Sequence, residues 1–177
     1  MDNSEYKKVN VKTWYLKYAQ TIPFWNKSVH FQLWFNPDFE EYLNLYNKVG
    51  SKWGWTGRLI ISKNELNDKL NSADNEIWLF QPEGKTIGFF EIDYSEKEKA
   101  EIIYLGLIPS ETGKGYGKEF LNAAIAIAGR KDNEVWLHTC EYDHPNALNM
   151  YISAGFEIIS ETVENEYYPV GFVKDKG

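Results

Sequence analysis

Three glycines at alternate positions, Gly113, Gly115 and Gly117, follow a short apolar run from Ile102 to Ile108 that ends at Pro109. Behind them, Lys118-Glu119-Phe120-Leu121-Asn122-Ala123-Ala124-Ile125-Ala126 is rich in strong helix formers. Strand, glycine turn and helix in that order make a phosphate-binding device. Glycines let backbone N–H groups crowd together and point outward, and the helix N-terminus adds partial positive charge. A cofactor carrying a diphosphate is therefore expected. Spacing narrows the choice. A dinucleotide turn needs G-x-G-x-x-G, whereas Gly113-Lys114-Gly115-Tyr116-Gly117 is G-x-G-x-G. A Walker A loop needs a glycine where Thr112 stands and a Ser or Thr where Glu119 stands. Taken alone, the glycines also suit an ordinary strand-to-helix turn.

A second segment lies downstream. Glu134-Val135-Trp136-Leu137-His138-Thr139-Cys140 reads as a buried strand, and Asp143-His144-Pro145-Asn146-Ala147-Leu148-Asn149-Met150-Tyr151 and then Gly155-Phe156 follow it. Thr112 to Gly117 resembles the acyl-CoA loop of the GNAT acetyltransferase superfamily, Gln/Arg-x-x-Gly-x-Gly/Ala, with Thr112 replacing the usual Gln or Arg. The second segment is similar to that superfamily's Asn-x-x-Ala-x-x-Leu/Phe-Tyr with Gly-Phe beyond it. Ala147, Met150, Tyr151, Gly155 and Phe156 fall in register, while His144 takes the asparagine's place. The resemblance spans residues 76 to 160. It implies acetyl-CoA as co-substrate, held by Leu107, Ile108, Pro109, Thr112, Gly113, Lys114, Gly115, Tyr116, Gly117 and Lys118, with His144 as a hydrogen-bonding side chain. It also implies that Tyr151 protonates the departing CoA thiolate, and that the Leu107 N–H stabilises the developing oxyanion. A strand bulge freeing that N–H is expected around Gly106.

N-acetyl transfer needs a neutral amine, so a base is required. Two carboxylates qualify. Glu101 precedes the cofactor strand, in a setting that resembles histone-type members of the superfamily, and Glu91 is an isolated charge amid Phe89-Phe90 and Ile92. His138 is a further base or substrate contact. Trp53, Trp55 and Arg58 lie between two expected helices, where the superfamily commonly contacts its acceptor. They are expected to form an apolar wall and a carboxylate clamp, although the tryptophans would equally suit core space beneath a loop. His138, Cys140 and His144 do not complete a zinc ligand set, so no metal is expected.

These residues need a scaffold, and the elements can be read in order. A strand is expected over residues 8–18, an apolar run over 30–35, and a helix from Asn36-Pro37-Asp38 to Gly50 with Phe39, Tyr42, Leu43 and Tyr46 at helical spacing. Ser62 and Glu65 form a capping-box pattern ahead of Leu66 and Leu70. A hairpin (77–80 and 86–92) and a strand (102–108) follow, then a crossover helix (115–129), a strand (134–140), a helix (145–154) and a strand (156–163). The fold class is α/β or α+β: a mixed, mostly antiparallel sheet flanked by helices, which is also what the GNAT resemblance implies. One domain is expected, with residues 1–75 on the acceptor side, 76–163 as the acyl-CoA core and 164–177 as a charged tail partly ordered by Tyr167, Tyr168 and Phe172.

Composition excludes other classes. The 177 residues carry a net charge of −7, which disfavours nucleic acid, and 16% aromatic residues argue for a packed core. One cysteine precludes an internal disulfide and fits a reducing cytoplasm. No signal-peptide core or membrane-length apolar run is visible. The expected protein is an acetyl-CoA-dependent N-acetyltransferase acting by direct transfer on a small-molecule or peptide amine, as monomer or homodimer. The alternative is a non-catalytic acyl-CoA-binding module on the same fold.

Overall fold

The computed structural model describes residues 5–25 and 28–173. Among these, seven runs form strands: β1 (Tyr6–Tyr18), β2 (Phe31–Leu33), β3 (Asn75–Phe80), β4 (Gly88–Asp93), β5 (Lys99–Leu107), β6 (Glu134–Cys140) and β7 (Phe156–Pro169). The helices are α1 (Phe39–Gly50), α2 (Lys63–Leu70), α3 (Gly117–Ala128) and α4 (Ala147–Ala154). The strands form one sheet in the order β2-β3-β4-β5-β6-β1-β7. β5 and β6 run parallel, and the other neighbouring pairs are antiparallel. No helix among the described residues is long and apolar enough to cross a membrane.

Helices cover both faces of the central strands, so strand side chains of either parity are buried. Ile77, Leu79 and Phe89 meet α1 and α2 through Tyr42, Tyr46, Val49, Leu66 and Leu70. Phe80, Phe90 and Ile92 meet α3 through Phe120, Leu121, Ala124 and Ile125 on the other face. Tyr42, Tyr46 and Val49 recur at the helical i, i+4, i+7 spacing that makes one stripe. Local chemistry starts the two covering helices. The Asp38 carboxylate accepts from the N–H groups of Glu40 and Glu41 at 2.9 and 3.1 Å, and the Ser62 hydroxyl accepts from Glu65 at 3.2 Å.

Three expectations need correction. The charged tail does not begin at Glu164, because β7 continues to Pro169 and pairs with β1 as far as Tyr6. Tyr168 anchors this extension, 5% exposed and 4.6 Å from the Tyr142 ring. Residues 174–177 of the expected tail lie outside the described residues. Secondly, the first strand starts at Tyr6 rather than at residue 8. β1 lies between β6 and β7 and joins them to one sheet. Thirdly, the bulge falls at Ile103 rather than near Gly106. Glu91 pairs with Tyr104 and Ile92 with Ile102, leaving Ile103 as the extra residue. The bulge changes the side-chain parity, so Ile102 packs toward α3 while Tyr104 packs toward α1.

Phe120 ties α3 to the sheet, lying 5.2 Å from Phe80 and 5.7 Å from Phe90, ring centroid to centroid. Phe120→Ala is expected to lower stability by about 3–5 kcal/mol, the usual loss for a fully buried phenylalanine. Urea unfolding checks this: the midpoint should fall with the slope unchanged.

Candidate active site

The site begins where two strands part. β5 and β6 pair only from Lys99–Glu101 with Glu134–Trp136. Beyond that they diverge, and a cavity of about 340 Å³ occupies the opening. The Ile108 N–H donates to the Ile87 carbonyl at 2.8 Å on the β4 side. Strand alternation therefore turns the neighbouring Leu107 N–H toward the opening, where it is available as a donor.

The glycine turn closes one end of the cavity. Pro109–Glu111 makes a 3-10 turn, and the Thr112 hydroxyl donates back to the Pro109 carbonyl at 2.7 Å. Gly113 and Gly115 have φ of +78° and +89°, a left-handed conformation that strains any residue with a Cβ. No atom lies within 4 Å of where a Cβ would stand at either glycine, so the space above the turn is open. α3 starts behind them with no side-chain cap, unlike α1 and α2. Its first N–H groups point at that space with the positive end of the helix dipole. This cradle fits a pyrophosphate. Thr112, Gly113, Tyr116, Gly117 and Leu107 line the cavity; Ile108, Pro109, Lys114, Gly115 and Lys118 do not. Lys114 is paired with Glu111 at 2.7 Å, and Lys118 is exposed in the first turn of α3.

Across the cavity, α4 supplies Tyr151, which is 8% exposed. Burial, helped by the negative charge of Asp143, pushes its hydroxyl well above the usual tyrosine range, so it stays protonated. Burial also pushes the Cys140 thiol up to about 11, with Asp143 adding to the shift, which leaves little thiolate for nucleophilic attack. His144 accepts the Asn146 N–H at Nδ1, 3.1 Å away, and sets its ring against the edge of Trp53 at 4.9 Å.

Asp143 was not among the candidates from sequence. Its carboxylate accepts from the Thr139 hydroxyl (2.7 Å), the Cys140 N–H (3.1 Å) and the Trp55 indole N–H (3.5 Å). The available signal was an acidic residue in the turn directly after an apolar strand. Glu166 was missed for a different reason: it lines the cavity from the part of β7 that reads as tail.

The two carboxylates expected to act as bases have different surroundings. Glu101 faces the Nδ1 of His138 at 2.8 Å, from a side chain only 20% exposed. A carboxylate acceptor there holds the proton on Nδ1 and leaves Nε2 as the nitrogen able to accept. His138 lines the cavity and Glu101 stands behind it. Burial works against charge on His138, but the hydrogen bond and charge of Glu101 outweigh it and raise the imidazole above its ordinary value. Glu91 does not reach the cavity. It is fully buried and bound to Arg58, which is 8% exposed, while Tyr42 donates to its second oxygen at 2.7 Å. Arg58 is thus committed to an internal partner and does not line the cavity, contrary to its expected place on a substrate carboxylate. A charge on a strand covered from both sides must be paired inside the protein, and this one is. Trp53 and Trp55 do line the cavity.

The Acetyltransferase (GNAT) family profile matches residues 31–156, and the chain belongs to that family. No curated protein matches the sequence. Among solved structures, a GNAT-family protein from Novosphingobium aromaticivorans DSM 12444 is 11% identical, with a TM-score of 0.67 over 94% of this chain and 68% of its own. An N-acetyltransferase from Sphaerobacter thermophilus is 17% identical, with a TM-score of 0.58 over 96% of this chain and 55% of its own. The PaiA N-acetyltransferase from Thermoplasma acidophilum, solved with coenzyme A, is 22% identical, with a TM-score of 0.53 over 78% of this chain and 99% of its own. At these identities the likeness is one of fold. The family's chemistry is acyl transfer from acyl-CoA, and this chain carries the family's fold.

The Glu101–His138 pair carries a pH signature. The folded imidazole titrates above its unfolded value near 6.5, so the pair's stabilisation is fully present below that value and is lost as pH rises through the folded one. An NMR titration should place His138 above 6.5, and Glu101→Gln should bring it down.

Proposed function

We propose that this protein is an acetyl-CoA-dependent N-acetyltransferase that passes the acetyl group directly to a primary amine of a small-molecule or peptide acceptor in a ternary complex. One observation carries the reading. An uncapped helix N-terminus behind two left-handed glycines, a buried protonated tyrosine and a carboxylate-backed histidine all border one cavity. Thr112 to Gly117 and the start of α3, Lys114 and Lys118 included, would hold the pyrophosphate through main-chain donors, with His144 beside the pantetheine path. Bound acetyl-CoA supplies the activated acyl group.

The chain's own residues then handle the charge and the protons. Nε2 of His138 takes a proton from the ammonium, so that a neutral amine attacks the thioester carbon. Glu101 holds the ring and stabilises the imidazolium that results, so it serves the base through the imidazole. The Leu107 N–H faces the carbonyl oxygen as negative charge develops on it. The Tyr151 hydroxyl gives its proton to the departing sulfur as the C–S bond breaks, and the second proton that the amine nitrogen sheds as the amide forms restores it. The high thiol pKa of Cys140 argues against an acyl-cysteine route. At the acceptor end, Trp53, Trp55 and Tyr104 offer flat apolar surface, and the carboxylates of Asp143 and Glu166 favour a positively charged arrival.

Acetyl-CoA should raise the thermal unfolding temperature by mass action, with NADH and ATP doing much less. Gly115→Val should abolish that effect in a folded protein, because the side chain would fill the phosphate space and strain the turn. Unchanged affinity for CoA would remove the loop from the cofactor site. An amine panel monitored by free CoA thiol identifies the acceptor. With the best amine, Tyr151→Phe should keep CoA affinity and lose about 10²–10⁴-fold in turnover, the range typical of general acid catalysis. Wild-type turnover would exclude Tyr151 as the acid. Glu101→Gln should move the acidic limb of the kcat/KM profile to lower pH; an unmoved limb would exclude His138 as the base.

A further inference from the structure

The Arg58–Glu91 pair is not used by the chemistry above, yet it is the most deeply buried ion pair among those described. Its side chains are 8% and 0% exposed. Arg58 Nη2 donates to one Glu91 oxygen, and Tyr42 donates to the other. The Arg58 guanidinium lies 5.2 Å from the Tyr104 ring centroid, and its backbone N–H donates to the Tyr46 hydroxyl at 3.4 Å. Its Nε is buried with no hydrogen-bond partner. Glu91 sits on β4 opposite Tyr104, beside the β5 bulge that opens the cavity.

Arg58 ends the segment that crosses the cavity mouth. Trp55 is packed so closely on Gly50 and Gly106 that a Cβ at those positions would lie 2.3 and 3.1 Å from its ring. Its indole N–H reaches Asp143 on the opposite side, while Trp53 meets His144 there. The Thr56 hydroxyl donates to the Tyr167 carbonyl on β7 at 2.5 Å. Residues 53–57 therefore form a strap from the β5 side to the β6 and β7 side, and Trp53, Trp55, Thr56 and Gly57 all line the cavity. α1 holds the upstream end of this strap. Downstream, Arg58 fastens it to β4 through Glu91, and Leu59 and Ile61 pack on the core beyond it.

A buried ion pair is a poor way to add stability, since desolvation cancels much of the attraction. It is a good way to fix position, because a planar guanidinium meets a carboxylate in few orientations. We propose that Arg58 and Glu91 are a positioning pair for the acceptor: they set the height of the strap above the β5 bulge, and so the place of Trp55 against the amine-bearing substrate. This rests on the N-acetyl transfer reading for its kinetic consequence, but the strap itself can be tested without an acceptor.

The test uses Glu91→Gln, which keeps an acceptor for Tyr42, and the double variant Arg58→Met with Glu91→Gln, which leaves no orphan buried charge. Hydrogen exchange measured by mass spectrometry should be at least tenfold faster over residues 51–61 in the folded double variant. Exchange in β4 and α3 should stay at wild-type rates, and acetyl-CoA affinity should stay within twofold. With the best amine of the panel, acceptor KM should rise at least tenfold while the KM for acetyl-CoA holds. Exchange at 51–61 that is unchanged, or that rises equally throughout the sheet, would overturn the proposal, and so would both variants failing to fold. In either of the last two cases the pair would be a stabiliser of the core. An amine panel with no turnover at all would defeat the transfer reading, while the exchange result would still decide the strap.

Discussion

Everything in the site follows from the point at which β5 and β6 stop pairing. Parallel strands held by helices on both faces would normally continue their ladder. Here the ladder ends after Glu101, and β5 goes on alone with its other edge still bonded to β4. One edge of β5 then presents main-chain donors to a cavity instead of to a neighbour. The bulge at Ile103 turns Tyr104 and Gly106 toward the strap of residues 53–57 while Leu105 and Leu107 pack toward α3. A strand that would otherwise be a structural element thereby becomes the floor of a binding site.

An open wedge in a sheet must be kept from closing or tearing, and β1 supplies the restraint. It lies antiparallel to both β6 and β7, matching Tyr15 to His138 on one side and to Ser160 on the other. Without it, β6 would be an edge strand attached to β5 by three residue pairs, and His138 would have no lateral support. Tyr15 instead stacks beside Trp136 at 6.3 Å and lies tilted against His138 at 5.9 Å. The first strand in the chain thus steadies a histidine more than a hundred residues away, a long-range dependence that no local pattern could announce.

The sequence was legible where chemistry is local. The Asp38 and Ser62 caps, the glycine turn, the apolar periods of α1 and α3, and strand 134–140 are each written in adjacent residues. It was least legible where meaning depends on what lies opposite. Glu91 looked available because a lone carboxylate in an apolar strand suits either a solvent face or a site. The pairing of Arg58 with it, across the sheet from another loop, has no signature in sequence. Glu101 and His138 were each visible as candidates, but only the register of β5 against β6 makes them one unit. Asp143 and Glu166 show the same limit, the one hidden in a turn and the other in a strand mistaken for a tail.

Electrostatics explains why the two ends of the cavity are built from different materials. A chain of net charge −7 repels a polyanionic cofactor at long range. That repulsion is screened beyond about 8 Å at physiological ionic strength, so contact donors decide binding. Main-chain N–H groups at the start of α3 meet this need without placing cations in the site. At the other end, Glu101, Asp143 and Glu166 place negative charge around His138 and raise the basicity of its imidazole, the arrangement that the proposed transfer to an amine would use. The cavity is therefore polarised along its length, main-chain donors at the glycine turn and carboxylates around His138. The direction of that polarity matches the charges that the two substrates of the proposed transfer would bring.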